Sequence, residues 1–486
     1  MRRPLTVGLL LLAAAALRAL PLTDNRFHPD EALYATFGRL IATGRDPWLA
    51  SAIVDKPPLP FYLMGGVMAM LGPSELAARL PSLFASILSV PLLYSLGRQL
   101  YDRDTAGLAA LALALSPLAI SFAPTAFLDP LHTTFVLWAM LGAARGRWAW
   151  TGVAIGLALA TKQTTLAFAP LIVWLLVSNP ANSFHKSERS FGSAVRRAVF
   201  LVGPIGLSAV VITAWDASRD APISFWAQGL RDNVPGTLAS AQEWLPRLGE
   251  LFRLMYYITA SWPLNLLLGA GLFGLIVWRP DERNSPARRR DVALSAFIFA
   301  YLAAYWLGGF NLWDRYFLVL TPFICLLLAR ALMWLARRVT LKPLIVAGAV
   351  LVAGMAAPAV IAAGSGYPVG GDHGAYDGID QVADYLRPIP QGAVLYDHWL
   401  SWEMRYYLDD APIYLVWMPD PTTLTTDLLA FGHTSPRYFV WPSWEIDPSM
   451  RLAAEAAGFA FESEFSTRRR DGTESFVVYR LVAQDE

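Results

Sequence analysis

Charge is scarce in this chain of 486 residues: 16% of its side chains are Asp, Glu, Lys or Arg, against roughly a quarter in a soluble protein. With 55% hydrophobic residues and 18 tryptophans, that deficit excludes an ordinary soluble domain and implies an integral membrane protein. A single cysteine, Cys325, excludes an internal disulfide, and its apolar surroundings predict a buried, inert thiol. No Walker loop, GxGxxG turn, CxxC pair or HExxH helix occurs, so neither a soluble nucleotide site nor a structural zinc has a motif to rest on. Internal repeats, heptads and low-complexity tracts are also missing, and no nucleic-acid partner is expected.

Long apolar runs are abundant. A helix needs about 20 apolar residues to cross the hydrocarbon layer. Candidate spans lie near 5–22, 77–98, 105–122, 131–144, 148–161, 164–178, 198–215, 263–279, 292–309, 316–335 and 343–363, about eleven in all. The first follows Met1-Arg2-Arg3-Pro4 and resembles a secretory signal, but the spans behind it favour a retained helix. Basic residues mark alternate connections: Arg2 and Arg3, Arg98 and Arg103, Arg145 and Arg147, Lys186 to Arg197, Arg279 to Arg290, and Arg337 to Lys342. The positive-inside rule places these in the cytoplasm of a cell-membrane protein. The N-terminus is then cytoplasmic, while loops 22–76 and 216–262 and everything after 363 face outwards. The apolar stretch 59–71 is too short to span and, flanked by Pro57-Pro58 and Gly72-Pro73, predicts an interfacial or re-entrant helix. Trp215, Trp226, Trp244 and Trp262 in the second outer loop suit a headgroup-level aromatic belt, with sugar stacking as the sharper alternative.

Composition divides the chain into a basic, apolar module, 1–363, and an acid-rich tail, 364–486. "DGIDQVADYL" (377–386) has the pattern of an amphipathic helix. "GAVLYD", "APIYLVW", "RYFVW" and "SFVVYRLV" read as short strands, which together predict a small extracytoplasmic α/β domain.

Polar residues beside a membrane are costly and usually functional. The first outer loop carries His28-Pro29-Asp30-Glu31 and then Asp55-Lys56-Pro57-Pro58. Acids in a first helical turn are favoured by the helix dipole, so a plain cap explains Asp30 equally well taken alone. Farther on come Asp129 before Pro130, with His132 one turn later to orient it; Lys162 between two short spans; and Asp314-Arg315-Tyr316 ahead of another. Asp129 also suits a cap, and Lys162 suits snorkelling to headgroups. Arg315 suits a phosphate, because its fork donates two parallel hydrogen bonds. Under one topology all of these fall on the outer face.

"HPDEALYA", "DKPPLPFYL", "LDP", "LATKQ" and "DRYFLVLTPF", in this order over residues 1–340, resemble the polytopic GT-C glycosyltransferases. The aminoarabinose-transferase and lipid-core glycosyltransferase group, related to protein O-mannosyltransferases, is the part of that superfamily it looks like. The chain departs from it at Asp55, where relatives often have Glu, and at Lys162-Gln163-Thr164, where they carry Lys-Gly-Pro. The resemblance implies an outward-facing active site, a polyprenyl-phosphate sugar donor, a lipid, glycan or protein acceptor, and a soluble domain after the last span. It implies Asp30 as the base that activates the acceptor, and Lys56 and Arg315 on the donor phosphate. Glu31 and Asp55 then position the acceptor or sugar hydroxyls, Asp129 belongs to the same site, and Lys162 and Tyr316 complete the donor-binding set. No cofactor is obligatory in this reading; a divalent cation between His28, Asp30 and Glu31 is compatible with it. The rival class is a transporter or flippase of lipid-linked sugars, which would place charges near the bilayer midplane, often with repeats.

Overall fold

The computed structural model describes residues 2–178, 191–234, 236–277, 285–339 and 341–484. Of the basic residues used for topology, Lys186, Arg189, Arg279 and Arg283 lie outside the described residues. Two compact units form: residues 1–22 with 38–370, and residues 23–37 with 371–486.

The first unit is helical. It begins with α1 (Arg2–Ala19); α2 (Pro29–Ala42) enters it from Gly38 onward. Then follow α3 (Leu59–Leu71), α4 (Glu75–Leu100), α5 (Arg103–Leu115), α6 (Pro117–Phe122), α7 (Asp129–Ala144) and α8 (Trp148–Leu159). A 3₁₀ turn (Gln163–Phe168) leads into α9 (Ala169–Ser178), and α10 (Phe191–Ser218) follows. The connection after α10 holds α11 (Phe225–Asn233) and α12 (Trp244–Tyr256), before α13 (Trp262–Val277) and α14 (Pro286–Leu307). A second 3₁₀ turn (Asp314–Leu320) precedes α15 (Thr321–Ala336), and α16 (Pro343–Ala363) ends the unit. Five helical stretches among the described residues are long and apolar enough to cross a membrane: 75–100, 192–218, 286–307, 314–336 and 343–363. Shorter apolar helices accompany them, including the expected 59–71. Every predicted span falls on a helix, and α15 lies at the centre, with Cys325 fully buried.

One predicted span is broken. Residues 105–122 divide at Ser116, which precedes Pro117 and is extended (φ −65°, ψ 117°), as a pre-proline residue prefers. The carbonyls this break orphans need partners in an apolar layer. Arg18, wholly buried on α1, supplies them: its Nη2 donates to Leu113 O (2.8 Å) and its Nη1 to Ala114 O (3.0 Å). Its Nε donates to Ser86 Oγ (2.9 Å). Close helix approach elsewhere depends on small residues: a Cβ on Gly152 of α8 would lie 2.4 Å from the Leu201 carbonyl of α10.

The second unit has a five-stranded sheet, order β2-β1-β3-β5-β4, built from β1 (Val394–Asp397), β2 (Tyr414–Trp417), β3 (Arg437–Pro442), β4 (Phe459–Arg468) and β5 (Glu474–Ala483). β1 runs parallel to β2 and β3, and β5 runs antiparallel to β3 and β4. Helices α17 (Ile379–Leu386), α18 (Ser401–Tyr407), α19 (Pro421–Phe431) and α20 (Ser449–Ala456) complete it. Alternate side chains fill two cores. Leu395, Tyr438 and Val440 pack with Ile379 and Met404; Val394, Tyr396 and Phe439 pack with Leu424 and Met450. The predicted helix 377–386 starts two residues late, because Gly378 is left-handed (φ 89°) and Asp377 is engaged by Arg470. A strand that the sequence did not predict, β4, closes one edge.

Candidate functional site

The predicted site residues divide between the units. Asp55, Lys56, Asp129, Lys162, Arg315 and Tyr316 belong to the helical unit, and His28, Asp30 and Glu31 to the α/β unit.

In the helical unit the cations are already paired. Lys56, 6% exposed, forms an ion pair with Asp55 and donates to Asn233 Oδ1 (2.7 Å). Asn233 Nδ2 in turn donates to Asp55 Oδ2 (3.2 Å), so the end of α11 is tied to the Asp-Lys-Pro-Pro segment. Gln163 Nε2 donates to Asp55 O (2.9 Å). Gly229 lets α11 come this near: a Cβ there would lie 2.8 Å from Asp55 O and 2.9 Å from Gln163 Nε2. Pro57 and Pro58, both buried, stiffen the same turn.

Lys162, 5% exposed, does not snorkel outwards. Its Nζ donates to Asp129 Oδ1 (2.5 Å) and lies 4.6 Å from the Tyr316 ring centre. Asp129 opens α7 and makes this bond in place of a cap. His132 does not orient Asp129; its Nε2 meets Thr165 Oγ1 (3.0 Å). Arg315 lies over the rings of Phe127 (5.1 Å), Tyr316 (5.5 Å) and Trp313 (5.9 Å). Its backbone N donates to Asp314 Oδ1 (2.8 Å), whose Oδ2 accepts from Gly370 N (2.8 Å). Lys56 and Arg315 both lie close enough to Lys162 to act on its charge, so the three cations converge. An apolar cavity of about 570 Å³ begins at Thr164 and is walled by Trp174, Phe297, Tyr301, Tyr305 and Phe310. Tyr305 packs at a tilt against Tyr316 (ring centres 5.8 Å apart), which connects this cavity to the cation cluster. Trp215 is buried, donating to Tyr62 Oη (3.0 Å) beneath Arg219, whereas Trp226, Trp244 and Trp262 are exposed.

In the α/β unit, α2 is capped by His28 and Glu31. His28 N donates to Glu31 Oε2 (3.2 Å), and Asp30 N donates to His28 Nδ1 (3.2 Å). The Asp30 carboxylate thus stands in the first turn, 4.0 Å from the His28 ring, without serving as the cap. Among the described residues no group of three or more His, Cys, Asp or Glu side chains is placed to hold a metal ion.

Residues 55–205, which contain three of these motifs, match the family described as dolichyl-phosphate-mannose-protein mannosyltransferase. An undecaprenyl phosphate-α-4-amino-4-deoxy-L-arabinose arabinosyl transferase of Pseudomonas aeruginosa is 31% identical over 193 residues, 36% of this chain and 35% of that protein. A Pseudomonas fluorescens protein of the same description is 28% identical over 304 residues, 59% of this chain and 53% of its own length. The chain thus spans between a third and about half of these relatives. Over 99% of both chains the structure superimposes on ArnT of Cupriavidus metallidurans bound to undecaprenyl phosphate, with a TM-score of 0.66 at 16% identity. The chain has the GT-C glycosyltransferase fold. An Archaeoglobus fulgidus oligosaccharyltransferase in complex with Zn and sulfate also shares it, with a TM-score of 0.54 at 14% identity over 97% of this chain and 72% of that one. The protein is accordingly a polytopic helical membrane protein with a small C-terminal sheet domain. Within the GT-C frame the sequence missed Asn233, Gln163 and Arg18. The first two lie 177 and 108 residues from their partners, and Arg18 is one charge in an apolar run.

Proposed function

We propose that this protein transfers a sugar from a polyprenyl-phosphate donor to a lipid, glycan or protein acceptor at the outer face of the membrane, with inversion. The chain crosses about eleven times with its N-terminus in the cytoplasm. The observation that carries the reading is the convergence of Lys56, Lys162 and Arg315 beside an apolar cavity. Phosphate and an isoprenoid tail together fit that combination of charge and grease. The relatives described as arabinosyl transferases, and the ArnT structure bound to undecaprenyl phosphate, support a donor of this class.

Asp30 takes the proton of the acceptor hydroxyl as its oxygen attacks the anomeric carbon from the face opposite the phosphate. The bond from that carbon to the phosphate oxygen breaks, and its electron pair leaves with the lipid phosphate. A phosphate leaves without being protonated, so base and cations suffice. A positioned base contributes about 10²–10⁴-fold. Arg315, Lys162 and Lys56 hold the charge that develops on the leaving group, an effect of about 10²–10³-fold for one well-placed donor. Glu31 and Asp55 position hydroxyls of the acceptor or sugar, Asp129 orients Lys162, and Tyr316 lies under that lysine.

The test uses purified protein in lipid with a polyprenyl-phosphate sugar. Transfer is expected for the wild type and its loss for Asp30→Asn, which is isosteric and should leave folding intact. Full activity of that variant removes Asp30 as base. Lipid translocation with no transfer from any such donor would replace the enzyme reading with the transporter one.

A further inference from the structure

Residues 23–37 leave the helical unit's sequence neighbourhood and form one compact unit with 371–486. Three grips hold them there. The hairpin between β4 and β5 presents Arg470, whose fork clamps Asp377 (Nε to Oδ2 and Nη2 to Oδ1, both 2.8 Å). The same Nη2 donates to Asn25 Oδ1 (2.9 Å) and Asp24 O (3.1 Å). Next along the chain, Arg26 pairs with Asp380 (3.2 Å). Phe27 is fully buried, its ring edge-on to Tyr406 (4.8 Å) and its N–H donating to Tyr407 Oη (3.2 Å). Asp30 follows three residues later, with His28 and Glu31 closing the helix cap between.

Helix α18, which bears Tyr406 and Tyr407, also bears Glu403, 1% exposed, with no hydrogen-bond partner at Oε1. It faces Asp397 at the end of β1, Asp30 of α2 and the Tyr376 hydroxyl. Burial, with those two carboxylates adding to it, pushes the Glu403 carboxyl up to about 8. At neutral pH it is therefore uncharged and adds no repulsion beside Asp30.

We propose that the C-terminal α/β domain is the positioning element for the base: through Arg470 and Tyr407 it fixes residues 24–28, and so the aim of the Asp30 carboxylate. This rests on the reading of Asp30 as base. A misplacement of about 1 Å costs on the order of 100-fold in rate, so a domain far along the chain governs turnover through the base it holds.

The experiment compares Arg470→Ala, Arg470→Lys, Tyr407→Phe and, on the loop side, Asn25→Ala in the full-length protein in lipid, measuring kcat, donor KM and thermal unfolding. Arg470→Ala is expected to lower kcat about 10- to 100-fold with donor KM nearly unchanged, and to lower Tm because Asp377 loses its partner. Arg470→Lys should recover part of that loss, and Asn25→Ala should reproduce it where Arg470→Ala folds poorly. Unchanged kcat in folded Arg470→Ala and Asn25→Ala, or a raised donor KM at constant kcat, overturns the proposal. In an Asp30→Asn background Arg470→Ala should add no further loss, because both act through one group; additive losses also overturn it. Should Asp30→Asn itself stay fully active, the base assignment fails instead, a result read independently of the Arg470 series.

Discussion

In the helical unit each buried cation rests on oxygen. Arg18 lies on Leu113 O and Ala114 O, Lys162 on Asp129, Lys56 on Asp55 and Asn233, and Arg330 on Asp291 (2.9 Å). In the α/β unit Asp377 is paired with Arg470, but three other buried acids, Glu403, Asp397 and Asp372, have no ion-pair partner among the described residues. Asp397 accepts from Leu400 N (2.8 Å), Asp372 accepts from Tyr376 N (3.3 Å), and burial raises the carboxyls of all three. The contrast follows from chemistry. A lysine that stays charged while buried demands a paired carboxylate. An acid that only shapes its surroundings sheds its charge by keeping a proton.

The largest test of this contrast is Lys162→Met. It strands Asp129 in a buried position and should cost about 3–5 kcal/mol of stability together with about 10²–10³-fold in transfer rate. Adding Asp129→Asn should restore thermal stability but not transfer. Recovery of both, or of neither, would show that the pair is purely structural or that the loss has another cause. Arg18→Leu comes next. It leaves the Leu113 and Ala114 carbonyls without those donors, for about 1–3 kcal/mol. Tm should fall while turnover per folded molecule stays constant; a change in turnover would tie Arg18 to the site. Smaller again is Arg315→Lys, which keeps the charge but loses the fork and the ring stacking. Donor KM should rise about tenfold, near 1.4 kcal/mol, and an unchanged KM removes Arg315 from the phosphate.

A pH test sharpens the other side. Folded Glu403 holds its proton up to about pH 8, whereas an unfolded Glu releases it near 4.5. Stability of the α/β unit therefore falls as pH rises from about 4.5 to 8 and levels off above. Glu403→Gln should flatten that slope and leave the variant relatively more stable at pH 8 than at pH 5. Hydrogen exchange in α18 at the two pH values reads this directly, and identical slopes in both proteins would contradict a protonated Glu403.

Much of this architecture was legible in the sequence because its signals are local. Apolar runs locate the helices, and alternation locates β1, β2, β3 and β5. β4 escaped because it is an edge strand with bulges near Ser463 and Ser466, and its Glu462 and Glu464 face water and mask the pattern. The pairing of Asp129 with Lys162 escaped for a different reason. Each residue looked like a cap or a snorkelling lysine in its own neighbourhood, and only three-dimensional packing brings them together. His132 illustrates the reverse: proximity in sequence implied a partner that packing assigns to Thr165.

The Arg18 bonds carry a consequence for synthesis. Two of its three carbonyl partners lie 95 and 96 residues farther along. At about 5–20 residues per second, α1 enters the bilayer some 5–20 s before they exist. An arginine at the centre of a membrane helix costs about 2.5–3.5 kcal/mol to insert; Arg18, in the last turn of α1 and bonded to Ala14 O (3.2 Å), costs part of that until its other partners are made. The first helix should therefore linger at the insertion machinery, and become a stable lodger in the lipid only once α5 arrives to receive it.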